Sequence, residues 1–394
     1  MAGTIRCLSR FHLGSFINHV NRQILLNGSR TLYTEKSLGL DNYKDARLSY
    51  HETYRNSLAT FKDKIKTNVS DGKSMIFTED LKALLHVVEK NPEDVSLLKT
   101  ALEKFNSQDS EIRFGMFKFG PVVMRAFHYL NEPSVALETF KNPKFDTFYD
   151  QQTTFALLTD LLFENGMYKE VREVYELIRA KSASANKNPK LVISVVALAC
   201  YKENTKESLD FGVKVCKNIT ERGALPLRKV ISTLAALALK QNAPHIALEL
   251  ITACKKSDYI STRTVRAMAL CDLDRLDDLT IEFQSALKRG IVSTNQYFSD
   301  IIPKVEAAIQ RGNISPNAEI CELFELMKVR EYIQNKTLEE HISEQLESYK
   351  SMTLQYYNQE HGSSQFKRQP EQWSRTSREP AQNRGGYNQR FNNF

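Results

Sequence analysis

The sequence predicts an all-α protein, an α-solenoid of about five to six helical hairpins with C-terminal capping helices. Three observations predict it. Only 15 Gly and 11 Pro occur in 394 residues of 41% hydrophobic content, which argues against a turn-rich β protein and supplies enough apolar surface for a large core. A short phrase, "ALE-x-F" or a variant of it, recurs at the spacing of one helical hairpin. Between its copies, apolar residues return with helical periodicity on both sides of a tight turn.

The first element stands apart from the rest. Residues 1–34, "MAGTIRCLSRFHLGSFINHVNRQILLNGSRTLYT", carry Arg6, Arg10, Arg22 and Arg30, no Asp or Glu, and Leu13, Phe16, Ile17, Val20 and Ile24 on one helical face. A basic, acid-free amphipathic N-terminus has the composition of a mitochondrial presequence, whose charge is drawn inward by the matrix-negative potential. Cleavage is expected between Arg30 and Thr34, and removal of residues 1–34 is expected to leave the fold intact. Residues 35–77 follow as an N-terminal helical or linker segment.

Residues 78–292 hold the repeats. The phrase appears as "ALEKF" at Ala101, "ALETF" at Ala136, "VREVY" at Val171, "SLDFG" at Ser208, "ALELI" at Ala247 and "LTIEF" at Leu279, in steps of 35, 35, 37, 39 and 32 residues. A period of that size marks stacked helix pairs, each burying its apolar face on the next. In residues 153–178, Phe155, Leu158 and Leu162 line a first helix, Asn165-Gly166 turns the chain, and Val171, Val174, Tyr175 and Ile178 line a second. Gly166, with Asn131 and Asn242 in the equivalent places, is expected to take the left-handed conformation that ends a helix.

These units resemble the pentatricopeptide repeat family. Its first helix, turn and "G-x-x-x-x-A-x-x-x-F" second helix match "TTFALLTDLLFENGMYKEVREVYELI" without a gap, as does "KVISTLAALALKQNAPHIALELI" from Lys229, and "ALCDLDRLDDLTIEFQSALKRGI" from Ala269 ends on a repeat's typical Arg-Gly-Ile exit. The tetratricopeptide pattern wants a Trp in its first helix, and the sole Trp here is Trp373. The resemblance covers roughly residues 83–292. It implies a groove of first helices where single-stranded mitochondrial RNA lies with about one base per repeat, and a part in RNA maturation in the mitochondrial matrix that supports the respiratory chain. The family's base-reading place falls on Pro121, Ala156, Ile193, Ser232 and Thr264, of which only Ser232 and Thr264 can hydrogen-bond a base edge.

A second column opens the units: Lys118, Thr153, Lys190, Lys229 and Ser261. A cation at the start of a helix works against the helix dipole. Its recurrence at one structural place makes Lys118, Lys190 and Lys229 the expected contacts to RNA phosphates.

Residues 293–355 read as further helices that cap the open end of the stack. Residues 356–394 form a tail rich in Gln, Asn, Ser and Arg, expected to be disordered, with six basic residues against three Glu and with Phe366, Trp373, Tyr387 and Phe391 interleaved. That mix suits phosphate contact and base stacking, with Arg384 of "RGGY" as an RNA contact; a purely solvating tail is the alternative. The whole chain carries a net charge of +7, of which the first 34 residues supply +4 and the tail +3, so the body between them is neutral. Any polyanion must meet a local patch on that body.

Several classes are excluded. The longest apolar run, "LVISVVALACY" at 191–201, falls short of the roughly 20 residues of a membrane-spanning helix, so no membrane insertion is expected. The six Cys (7, 200, 216, 254, 271 and 321) form no C-x-x-C pair, and no two His stand at ligand spacing, so free thiols without metal or cofactor are expected. Asp272, Asp274, Asp277 and Asp278 cluster as a nuclease's metal ligands would, but they fall at a turn and helix start where Asp caps free amides. No glycine loop or nucleophile setting appears, so catalysis is expected from partners, RNA-processing enzymes or the ribosome. The neutral body supports a second reading: a protein-binding scaffold of the same fold in a mitochondrial ribosome or assembly complex.

Overall fold

Helix pairs run from one end of the described chain to the other. The computed structural model describes residues 32–108, 117–145, 148–181, 189–254, 259–290, 292 and 296–345. Along them run α1 (Glu35–Leu38), α2 (Leu40–Thr53), α3 (Leu58–Ser70), α4 (Thr78–Val87), α5 (Pro92–Ser107), α6 (Gly120–Leu130), α7 (Pro133–Lys141), α8 (Gln152–Glu164), α9 (Tyr168–Lys181), α10 (Lys190–Glu203), α11 (Lys206–Glu221), α12 (Arg228–Lys240), α13 (Pro244–Thr252), α14 (Ile260–Asp272) and α15 (Leu276–Arg289). Then follow β1 (Tyr297–Phe298), α16 (Ile301–Arg311), α17 (Glu319–Val329), β2 (Ile333–Gln334) and α18 (Leu338–Ile342). The even-numbered helices from α2 to α16 stack side by side as the first-helix layer, and the second helices α7, α9, α11 and α13 each pack on the next first helix. This is the all-α solenoid expected, with six pairs from α4/α5 to α14/α15.

The repeated phrase builds the seam between units. All six markers, Ala101, Ala136, Val171, Ser208, Ala247 and Leu279, are fully buried, and so are the large residues four places on: Phe105, Phe140, Tyr175, Ile251 and Phe283. A small marker lets the second helix approach its neighbours; the large residue fills the space beyond. The exception explains itself. In α11 the large place holds Gly212, and a Cβ there would lie 2.4 Å from Leu234 Cδ2, so a leucine from α12 occupies the volume an aromatic fills elsewhere.

The turns obey the expected backbone demand. Gly166, Asn131 and Asn242 have φ of 71°, 55° and 55°. At Gly166 the closing bonds are Gly166 N–H to Phe163 O and Met167 N–H to Leu162 O, both 3.0 Å, which satisfy the carbonyls the helix end leaves open. Along the second helices, Lys99–Glu138 (2.7 Å), Lys141–Glu173 (2.8 Å), Arg172–Glu207 (3.2 Å) and Lys217–Glu249 (3.9 Å) join successive units. This ladder spends opposite charges on each other and accounts for part of the neutral body.

Two expectations are corrected at the ends. Leu32 is fully buried and Tyr33 is 2% exposed, the Tyr33 hydroxyl donates to Leu191 O at 2.6 Å, and Thr34 Oγ1 caps α1 by accepting from Ser37 N–H. The folded body therefore starts inside the segment read as presequence, and cutting after Thr34 would remove part of the core. Residues 1–31, the rest of that segment, lie outside the described residues, as does the tail with Arg384.

At the other end the expected helices are interrupted. Tyr297–Phe298 and Ile333–Gln334 pair as two short parallel strands, with Tyr297 N–H donating to Tyr332 O at 2.8 Å, while Phe298 N–H ties β1 to α14 by donating to Thr264 Oγ1 at 3.0 Å. The segment then returns across the first-helix layer, where α18 packs on α12 and α14 and buries Leu338 and Ile342. Among the described residues no helix is long and apolar enough to cross a membrane.

Candidate nucleic-acid interface

The lysine column lies at the leading edge of the first helices. Lys190 is the first residue of α10 and Lys229 the second of α12, while Lys118 stands two residues before α6. Lys118 and Lys190 are exposed. Lys229 is half-buried and donates to Glu344 O, the backbone carbonyl just past α18. Burial pushes its pKa down to about 8, with Lys336 adding to the effect and Glu344 opposing it. The two other column members divide: Thr153 is exposed, whereas Ser261 is buried.

The base-reading expectation for Ser232 and Thr264 is corrected. Ser232 is 2% exposed with its Oγ 3.1 Å from Ser261 Oγ, and Thr264 is fully buried and accepts from Phe298 N–H. Both hydroxyls are consumed in joining first helices to their neighbours, so neither presents a donor to a base in this conformation. Ala156 and Ile193 are buried as well. The fourth place of each unit is thus buried in the stack at all four of these residues.

A set of residues not singled out from the sequence forms the clearest anion site. Tyr201 and Lys202 near the end of α10 and Lys240 at the end of α12 converge on Glu339 of α18, with Lys202 Nζ 3.1 Å and Lys240 Nζ 3.6 Å from its carboxylate and the Tyr201 hydroxyl donating at 3.3 Å. The Lys240 ammonium also sits 4.3 Å from the Tyr201 ring centroid. Burial works against the Glu339 charge, yet the two lysines outweigh it and hold its pKa below the usual carboxylate range. The signal was present as Lys202 and Lys240 in corresponding places of consecutive units, but a surface lysine near a helix end is too common to stand out.

The N-terminal segment covers another part of the same layer. Arg125 Nε of α6 donates to Leu38 O at 2.9 Å. Tyr33, Glu35, Leu40, Tyr43, Lys44, His128, Tyr129, Asp160 and Glu164 line a cavity of about 380 Å³. Within it His128 Nε2 lies 3.3 Å from Asp160 Oδ2 and 3.6 Å from Glu164 Oε2. Burial raises the Asp160 pKa and brings Glu164 to about 7; for His128 burial acts downward, but the Asp160 and Glu164 carboxylates prevail and raise it.

Three of the four Asp in the acidic cluster near α15 are held in ion pairs. Asp272 binds Lys304 through both oxygens at 2.7 Å, Asp274 binds Arg311 at 2.8 Å and Asp278 binds Arg275 at 2.7 Å. Cys200, Cys216 and Cys271 are buried free thiols whose pKa values burial pushes up to about 12, which leaves them poor nucleophiles.

Curated proteins of several vertebrates resemble this chain. It is 29% identical over 217 residues to the pentatricopeptide repeat-containing protein 2, mitochondrial, of Xenopus laevis, covering 54% of each chain. The Pongo abelii protein of that name is 25% identical over 295 residues, 72% of this chain and 74% of the relative, and the Homo sapiens protein 23% identical over 292 residues, 72% and 73%. The match thus spans about half the length of the Xenopus laevis relative. No family model matches the chain. The resemblance to pentatricopeptide repeats read from the sequence and these relatives point the same way, and the structure is a helical-repeat solenoid.

Proposed function

We propose that this chain is a mitochondrial protein that binds single-stranded RNA along its first-helix layer and serves RNA maturation, and through it the respiratory chain, without catalysing a step itself. The carrying observation is the grip of Tyr201, Lys202 and Lys240 on one oxyanion. Two ammonium groups and a hydroxyl from consecutive first helices are the donors a phosphate takes. Lys118 and Lys190 extend cations along the same layer. The relatives' names support the repeat family and the mitochondrial location, and the basic, acid-free N-terminus agrees with it. On this reading the matrix is the site of action, and RNA-processing enzymes or the ribosome are the partners.

The cover of the layer by α18 and by residues 32–44 favours a second reading, a scaffold that binds protein. One experiment separates the two. The affinity of the full chain for single-stranded RNA is titrated across salt concentrations, beside a variant with the exposed Lys118 and Lys190 replaced by Ala. Loss of two phosphate contacts lowers the salt slope by about 1.4, at roughly 0.7 per contact, whereas Lys229, held by Glu344 O, is left in place. Glu339→Gln is expected to raise affinity by weakening the resident occupant of the anion site. Parallel lines of equal affinity for all three proteins would overturn the RNA reading and leave the scaffold.

A further inference from the structure

We propose that His128, Asp160 and Glu164 form a binding site for a divalent transition ion, Zn²⁺ or Mn²⁺, where α6 and α8 meet beneath the N-terminal segment. The ligand set comes from geometry that linear spacing hides. Asp160 and Glu164 stand four residues apart on α8, hence on one face and one turn from each other. His128 reaches them from α6, 32 residues earlier. Nε2 is 3.3 Å from one carboxylate and 3.6 Å from the other, and one ligand atom from each of the three residues lies within 4.8 Å of the others. An ion held by bonds of about 2.0–2.2 Å keeps its ligands roughly 3–3.5 Å apart, so the site closes with small carboxylate rotations.

The second observation is what the ion pair leaves unsatisfied. Asp160 is fully buried, yet its Oδ1 has no hydrogen-bond partner, and neither has the buried Glu164 Oε1. Leaving a carboxylate oxygen buried without a partner is costly, and each of these carboxylates turns only its other oxygen, Asp160 Oδ2 or Glu164 Oε2, toward the single histidine. A cation held between the two carboxylates would supply the missing counter-charge. One nitrogen and two carboxylates suit Zn²⁺ or Mn²⁺ better than a soft ion, and the adjoining cavity of about 380 Å³ has room for water to complete the coordination. Glu35 lines the same cavity, so an ion there would pin the N-terminal segment to two consecutive repeats. This inference is independent of RNA binding, and it departs from the sequence expectation of no metal.

The test uses the full chain, stripped with chelator and titrated with Mn²⁺, the free ion being followed by its electron paramagnetic resonance signal. Mn²⁺ is chosen because the thiols at Cys200, Cys216 and Cys271 bind it poorly. The expected result is one ion per chain, a melting temperature that rises with Mn²⁺, and affinity at least tenfold weaker in Asp160→Asn and in Glu164→Gln. Asp272→Asn, in the other acidic cluster, should bind as wild type does. Should Asp160→Asn fail to fold, Glu164→Gln at the less buried position and the melting shift of the wild type still decide. No retained ion at millimolar Mn²⁺ or Zn²⁺, or equal binding by wild type and Glu164→Gln, would overturn the proposal.

Discussion

A chain that begins at Glu35 should be less stable than one that begins at Thr31, because the residues between them belong to the core. Leu32 and Tyr33 are 0% and 2% exposed, and burying the two side chains is worth about 4–5 kcal/mol together. The Tyr33 hydroxyl bond to Leu191 O adds about 1 kcal/mol, and the Thr34 cap on Ser37 N–H about 1 more. Against this, fixing three residues costs about 4 kcal/mol in conformational entropy. The net loss is about 2–3 kcal/mol. In a solenoid, stability is carried by each unit and its nearest neighbours, so the loss should fall on α6, α8 and the start of α10. Amide hydrogen exchange by mass spectrometry reads this directly. Peptides from those helices should exchange about 30- to 150-fold faster in the shorter chain, while α14 and α15 stay unchanged. Equal protection in the two chains would refute the packing of Leu32 and Tyr33. The expected result places any tolerated presequence cleavage upstream of Leu32, a few residues before the first acid at Glu35.

Two further predictions test the turns and the C-terminal strap. Gly166→Val puts a β-branched residue at φ 71° where a Cβ meets nothing within 4 Å, so the cost is backbone strain alone, about 1–2 kcal/mol, and an unchanged urea midpoint would refute it. Lys229, whose pKa burial holds near 8 beside Glu344 and Lys336, binds fewer protons folded than unfolded between pH 8 and its ordinary value of 10.5. Its contribution to stability therefore rises with pH across that window, is complete above it, and is lost as pH falls to 8. Unfolding titrations from pH 7.5 to 10.5 should show that rise in the wild type and a flatter profile in Lys229→Met; identical profiles would refute the buried ammonium.

The fold was legible because its signals are local and repeated. Ala101, Ala136, Val171, Ser208, Ala247 and Leu279 declare a seam by recurring, and Gly166, Asn131 and Asn242 declare turns by backbone chemistry that needs no tertiary context. What was missed depends on contacts between distant segments. Thr264 reads as a polar helix residue until Phe298 N–H arrives from 34 residues away. Leu32 and Tyr33 look like the end of a basic leader until the first-helix layer receives them. His128, Asp160 and Glu164 come together only when two units stack. Ser232 and Thr264 turned inward because a column aligned by sequence fixes position along a helix but not which neighbour the side chain meets.

The strap α18 changes what RNA binding would require. Leu338 and Ile342 are buried, worth about 1.5–3 kcal/mol each before ordering costs, so the strap holds by a few kcal/mol at most. If the anion site opens only when α18 leaves, apparent affinity there is the intrinsic affinity multiplied by the open fraction, and 2–3 kcal/mol of strap would weaken it about 30- to 150-fold. Lys118 and Lys190 are exposed near the starts of α6 and α10, whereas α18 packs on α12 and α14. An RNA long enough to engage them first gains local concentration at the anion site and competes with Glu339 intramolecularly, whereas a short oligonucleotide meets the strap alone. The neutral body then has a physical reading: its cations are matched by the second-helix ladder and by the strap, and the strap is the part of that matching a longer polyanion can replace.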